Sequence, residues 1–250
     1  MKIVLDACCN HVGSDYLIKR MIEMAALEAE YIKFQLYSAN KLNTCFPNYK
    51  DRILEYKKME ITLGQLDLIF EQCSMNGIIP MFTIFDEERL QDLESYRNAR
   101  FALKIASPDA HRTNMINRII NFFPDKLIII STGMLNSDEI DQLICTFPKA
   151  EIMYCVSKYP TQLEDIDFEM MKKLGSFSDH TQEVWLAEVL NEKNIKLKYY
   201  EKHFILTRFL NTRDSLVSIT PKELNYICRV LDHNKMKDVY KERWNENSVT

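Results

Sequence analysis

The chain has 250 residues, 46% of them hydrophobic, the usual size of one α/β barrel and ample for one large core. Its formal charge of -4, from 36 acidic and 32 basic residues, gives none of the electrostatic footprint of a nucleic-acid binder. No apolar run approaches the roughly 20 residues that span a bilayer, and the start Met1-Lys2-Ile3-Val4-Leu5-Asp6 is too short and too soon charged for a secretion signal, so a cytoplasmic protein with no membrane partner is expected.

In chain order, the first apolar run, Ile3–Leu5, leads into Asp6-Ala7-Cys8-Cys9-Asn10-His11-Val12-Gly13. A helix-spaced segment, Tyr16–Leu27, separates it from a second strand at Tyr31–Leu36. Tyr37–Ile61 is polar and aromatic with little periodicity and reads as a long loop that covers substrate. A helix over Leu63–Met75 then precedes strands at Ile78–Ile84, Phe101–Ile105 and Leu127–Ile130. Ser137-Asp138-Glu139 marks the start of a helix carrying Ile140–Phe147. Strands follow at Glu151–Val156, Ser176–Ser178 and Leu197–Tyr200, and Thr220-Pro221-Lys222-Glu223 opens a helix over Lys222–Leu231. Eight short strands alternating with helical segments predict a (β/α)8 TIM barrel as a single domain over 1–233. The charged tail, 234–250, reads as a final helix or a frayed end. The seven cysteines are odd in number, form no Cys-x-x-Cys pair and read mostly as core residues.

In such a barrel the chemistry sits at the C-terminal ends of the strands. Residues two apart on a strand share a face, so Lys33 and Gln35 both point into the mouth, and Lys104 joins them from another strand. An unpaired buried ammonium is costly, which favours a shared anion, a phosphate or a carboxylate. Ser131-Thr132-Gly133-Met134 and Ser157-Lys158-Tyr159-Pro160 add hydroxyl and backbone donors. His180 and His203, each closing a late apolar run, offer two neutral imidazoles to a divalent metal with positions left for water and substrate. Asn10-His11-Val12-Gly13 reads as a turn whose side chains cap the next helix.

The ordered blocks Asn10–Gly13, Ile32–Gln35, Lys104–Ser107, Ser131–Met134, Cys155–Pro160, Ser178–Thr181 and Glu201–Phe204, with Asp214, Ser218, Pro221 and Glu223, resemble the sialic acid synthase family, including its relatives in spore-coat polysaccharide and legionaminic or pseudaminic acid synthesis. The resemblance implies condensation of phosphoenolpyruvate with an open-chain N-acylated amino sugar to give a nine-carbon 2-keto acid and phosphate. It implies manganese or magnesium on His180 and His203; Lys33, Lys104, Thr83, Ser107 and Ser178 against phosphate and carboxylate; and Gln35, Tyr159 and Asp214 on the sugar. Asp6 stands where the family has a catalytic glutamate, and Ser215 follows Asp214 where a histidine is usual. Family members carry a C-terminal antifreeze-like domain that reaches into a partner's site, and nothing after Asn234 is long enough for one. A homodimer, or that domain on a separate polypeptide, is the partner implied. Two other readings fit the same residues: a catalytically silent relative serving as a partner subunit in glycan synthesis, and a metal-dependent sugar aldolase or isomerase.

Overall fold

The computed structural model describes residues 1–42, 49–182 and 184–231, side chains at 49–52 excepted. Nine strands run β1 (Lys2–Cys8), β2 (Tyr31–Leu36), β3 (Ile79–Ile84), β4 (Ala102–Ile105), β5 (Leu127–Ser131), β6 (Glu151–Cys155), β7 (Ser176–Asp179), β8 (Tyr199–Phe204) and β9 (Ser218–Ile219). The α-helices are α1 (Asp15–Ala25), α2 (Tyr49–Met59), α3 (Leu63–Asn76), α4 (Thr113–Phe122), α5 (Ser137–Thr146), α6 (Phe168–Leu174), α7 (Trp185–Glu192) and α8 (Pro221–Leu231). Every strand pairs in parallel with the next, and β1 pairs with β8, so β1 to β8 close into the expected (β/α)8 barrel while β9 extends the edge of β8. A 3-10 stretch, Glu87–Tyr96, replaces the helix between β3 and β4. Among the described residues no helix is long and apolar enough to cross a membrane.

The two-residue period of the strands divides the core in two. Ile3 and Leu5, Ile32 and Phe34, Leu103 and Ile105, Ile128 and Ile130, and Phe177 and Tyr200 face outward and pack under the helices. Val4, Tyr31, Met81, Ala102, Ile129, Met153 and Tyr199 form a separate cluster inside the barrel. One pleat further along each strand, on this inner face, stand Asp6, Lys33, Thr83, Lys104, Ser131, Cys155 and Glu201. The interior is thus an apolar floor beneath a polar rim.

Local sequence sets the helix ends. Thr62 and Gln65 form a reciprocal capping box at α3, which Gly77 closes at φ 70°, and Asn136, one residue ahead of the expected start, caps α5 with Glu139. Glu223 accepts from the backbone amide of Thr220 at 2.8 Å at the head of α8. Ser14 caps α1, so the preceding turn does a different task from the capping expected of it. Asn10 donates to Phe204 O at 2.8 Å and Ser218 Oγ at 3.0 Å, tying β1 to β8 and β9. His11 accepts from the Gly13 amide, and burial pulls its pKa down to about 4.

Two expectations need correction, and a third falls outside the described residues. Tyr37–Ile61 is not one long loop, because α2 occupies Tyr49–Met59; residues 43–48 lie outside the described set. The helix is hard to read because its apolar face is narrow: Ile53 and Tyr56 reach the small cluster of Tyr37, Ala39 and Leu42, while Leu54 points to solvent. Its C-terminal end runs against Gly13, where a Cβ would lie 2.0 Å from Lys58 O, so only glycine fits that turn. The last barrel strand starts two residues later than Leu197 and runs through Phe204, so His203 lies within the strand. The tail at 234–250 lies outside the described residues, as do 232 and 233.

Candidate active site

Seven of the expected residues converge on the barrel mouth through the parallel register, which sets Asp6 beside both Lys33 and His203, Thr83 beside Lys104 and Gln35, and Ser178 beside Glu201. Lys33 Nζ lies 2.9 Å from Asp6 Oδ2 and 3.0 Å from Glu201 Oε1. Lys104 Nζ donates to both oxygens of the same glutamate, at 2.9 and 2.8 Å, and Ser178 Oγ adds a third donor at 2.8 Å. All five groups are buried.

Glu201 is therefore the hub. Burial alone would raise its carboxyl, but the ammonium groups of Lys104 and Lys33 overcome that and hold it far below the ordinary carboxylate range. Burial pulls the other way on Lys33, and the neighbouring Asp6 and Glu201 carboxylates prevail, keeping that amine protonated above its usual value. Lys104, with burial dominant and Lys33 close by, sits below its usual value. The sequence offered one usable signal for Glu201: it stands two residues before His203 and so shares its face.

A second group of donors lies across the mouth. Ser107 Oγ accepts from the Gly133 amide at 3.1 Å. A Cβ on Gly133 would lie 2.5 Å from Ser157 Oγ, 3.0 Å from Ser107 Oγ and 3.1 Å from Cys155 Sγ, so the missing side chain is what lets these hydroxyls gather. Ser131 is buried at the end of β5, just ahead of this turn. Gln35 Oε1 lies 3.5 Å from Cys9 Sγ at the rim. The Thr83 hydroxyl is buried with no hydrogen-bond partner. Such an atom costs about 1–3 kcal/mol, so the inner face of β3 carries an unmet hydrogen bond at the mouth.

The two histidines differ. His180 Nδ1 is 2.9 Å from Val156 O, leaving Nε2 against Tyr159 Oη at 3.1 Å, with the Tyr159 ring stacked on the imidazole at 4.1 Å. A histidine whose one nitrogen is fixed on a backbone carbonyl has the orientation typical of a metal ligand on the other. His203 lies 5.4 Å away, ring to ring, with Nε2 3.8 Å from Asp6 Oδ2 and Nδ1 buried without a partner. Among the described residues, one trio has ligand atoms all within 4.8 Å of one another: Cys8, His203 and Asp214. These donor types suit a divalent cation. Burial, with Asp214 and Asp6 nearby, pushes the Cys8 thiol well above its ordinary value. The described cysteines are free thiols, and neither Cys8 nor Cys155 was assigned a site role from the sequence.

A model of the NeuB family matches residues 21–239. The N,N'-diacetyllegionaminic acid synthase of Campylobacter jejuni is 27% identical over 252 residues, covering 90% of this chain and 74% of that protein. The spore coat polysaccharide biosynthesis protein SpsE of Bacillus subtilis is 24% identical over 245 residues, covering 89% of this chain and 64% of its own length. Among solved structures, the N-acetylneuraminic acid synthetase of Leptospira borgpetersenii superposes with a TM-score of 0.79 at 26% identity, over 99% of this chain and 91% of that one. A truncated 3-deoxy-D-arabino-heptulosonate 7-phosphate synthase from Thermotoga maritima shares the fold alone, with a TM-score of 0.64 at 9% identity.

Proposed function

The chain belongs to the NeuB family, and we propose that it condenses phosphoenolpyruvate with an N-acylated amino-sugar aldehyde, giving a sialic-type 2-keto acid and inorganic phosphate. The observation that carries this reading is the pairing of Lys33 and Lys104 over one buried carboxylate, ringed by Thr83, Ser107, Ser131, Ser157, Ser178 and the Gly133 amide. Phosphoenolpyruvate brings a carboxylate and a phosphate, and two ammonium groups with that many neutral donors suit two anions on one small molecule. Glu201 serves as the counterion of both lysines in the free protein, so substrate takes over contacts that already exist. Little reorganisation is then needed at the moment of reaction.

The carbon–carbon bond forms between C3 of phosphoenolpyruvate and the aldehyde carbon, whose oxygen takes a proton. Water adds at C2, and the tetrahedral centre loses phosphate by C–O cleavage. Asp6, hydrogen-bonded to Lys33 and flanked by His203, is the carboxylate placed to exchange a proton with the adding water. The hydroxyls of Thr83, Ser107 and Ser178 hold the departing phosphate. Tyr159, Gln35 and Asp214 stand at the rim, where the sugar enters, and orient it. His180 and His203 would hold a divalent cation, and the fixed Nδ1 of the first and the unpartnered Nδ1 of the second support that assignment. Such a cation supplies Lewis-acid polarisation of the aldehyde oxygen.

Phosphate release from phosphoenolpyruvate, measured across a panel of N-acylated amino sugars with each product weighed by mass spectrometry, tests the reading. Sugar-dependent release with a product mass of sugar plus pyruvate is expected. Product from the sugar alone would put an aldolase or isomerase in its place.

A further inference from the structure

We propose that Cys8 is itself a metal ligand, its thiolate joining a ring nitrogen of His203 and a carboxylate oxygen of Asp214 around one divalent cation. The inference rests on the reading above only in placing a cation at this mouth. It changes the donor set from an imidazole pair to a site containing sulfur, and gives Asp214 to the cation rather than to the sugar.

Three independent observations converge on Cys8. Its sulfur, the His203 nitrogen and the Asp214 oxygen lie within 4.8 Å of one another, a spacing that one ion can bridge with small side-chain movements. Cys8 is fully buried and His203 is 7% exposed, yet Nδ1 of that histidine has no hydrogen-bond partner, so the cluster is built and left short of one occupant. The backbone at Cys8 is also strained: φ is 36°, in the left-handed region that a side chain bearing a Cβ rarely adopts. A register shift between β1 and β2 falls at the same place, where Asp6 pairs with Lys33 and Cys8 with Phe34, so that two steps on β1 face one on β2. The bulge and the positive φ fall at the very residue whose sulfur lies within 4.8 Å of an Asp214 carboxylate oxygen. Glycine would take this conformation without strain, so a cysteine here carries a conformational cost.

The chemistry of the donors sets the class of ion. Binding turns the Cys8 thiol into a thiolate and releases its proton to solvent, leaving a site of one sulfur, one nitrogen and one oxygen. Thiolate and imidazole favour zinc, cobalt(II) or iron(II) over magnesium, which prefers oxygen ligands. The ring of His180 lies 5.4 Å from that of His203 and is stacked on Tyr159, a further imidazole within reach of the same mouth.

Cobalt(II) is the probe. Titrated into the full-length protein, it should produce visible ligand-field bands and a near-ultraviolet sulfur-to-cobalt charge-transfer band. Cys8→Gly and Cys8→Ser should both lose the charge-transfer band, while Cys9→Ser and Cys155→Ser keep it. Removing an outer partner of a metal ligand costs about 10–100-fold in affinity, so losing the ligand itself should weaken cobalt binding at least that much in equilibrium dialysis. The glycine variant guards against a merely structural role, because it suits the backbone; its melting temperature should hold or rise while the band disappears. Cobalt bound with no thiolate band, the same band in Cys8→Gly, or no cobalt bound at all would each overturn the proposal. The readout uses neither phosphoenolpyruvate nor sugar, so its failure and a failure of the proposed reaction are separate results.

Discussion

Adjacent residues of β8 feed two buried lysine–carboxylate networks that lie back to back, and they are built on opposite plans. On the outer face, Lys202 donates to Asp179 Oδ2 at 2.9 Å, Thr181 O at 2.7 Å and Thr181 Oγ1 at 3.1 Å, which uses all three ammonium protons. Asp179 is saturated too, by Tyr200 Oη at 2.5 Å and the Thr181 amide at 2.7 Å. On the inner face, two ammonium groups share Glu201, and the nearby Thr83 hydroxyl and His203 Nδ1 go without partners. The outer network is closed and acts as a strut between β7 and β8. The inner one keeps spare hydrogen-bonding capacity, which is costly in an empty protein and useful in one that binds an anion.

The sharpest way to test this contrast is to remove one lysine from each side. Lys202→Met leaves Asp179 buried without its cation, and breaking a buried pair in this way costs about 3–5 kcal/mol. A urea melt should show that loss in full, and an unchanged midpoint would refute the strut. Lys104→Met should do the reverse. Glu201 keeps Lys33 and Ser178, so the melt moves less, whereas phosphate release falls by about 10²–10³, the usual effect of deleting one preorganised donor to a developing anion. Equal stability losses in the two variants would erase the distinction between the faces.

A smaller effect comes from acid. His11 is buried near Phe34 in the outer layer, with its pKa lowered from 6.5 to about 4. The folded value lies below the unfolded one, so the unfolded chain binds the proton first. The stability tied to a neutral His11 is fully present above pH 6.5 and drains away as pH falls toward 4. At about 1.4 kcal/mol per unit the loss amounts to about 3 kcal/mol. Melts across that window should lose this slope in His11→Asn, while Lys104→Met keeps it.

Most of the barrel was legible because β-branched runs and helical spacing repeat with short connections, and that pattern alone places Lys33, Gln35 and Lys104 on the inner face. The charges of Glu201-Lys202-His203 disguised the last strand: one charge is neutralised inside the barrel and the other outside, and the sequence carries no sign of either partner. For the same reason Glu201 was visible only as a neighbour of His203. Cys8 was hidden differently. Its role depends on a bulge and a positive φ, which are properties of the folded backbone, and on Asp214, which comes from more than 200 positions later in the chain. Tyr49–Met59 was missed because a narrow apolar stripe among charged residues leaves little periodicity to detect.

Val4, Met81, Ala102, Ile129 and Met153 form an apolar floor across the inside of the barrel. Met153 Sδ sits 3.5 Å from Lys104 Nζ, so the apolar floor meets the charged layer directly. On the proposed reaction, substrates, water and phosphate would come and go from the mouth side of that floor. Whatever reached the lysines first would then lie deepest, and whatever arrived later would cover it.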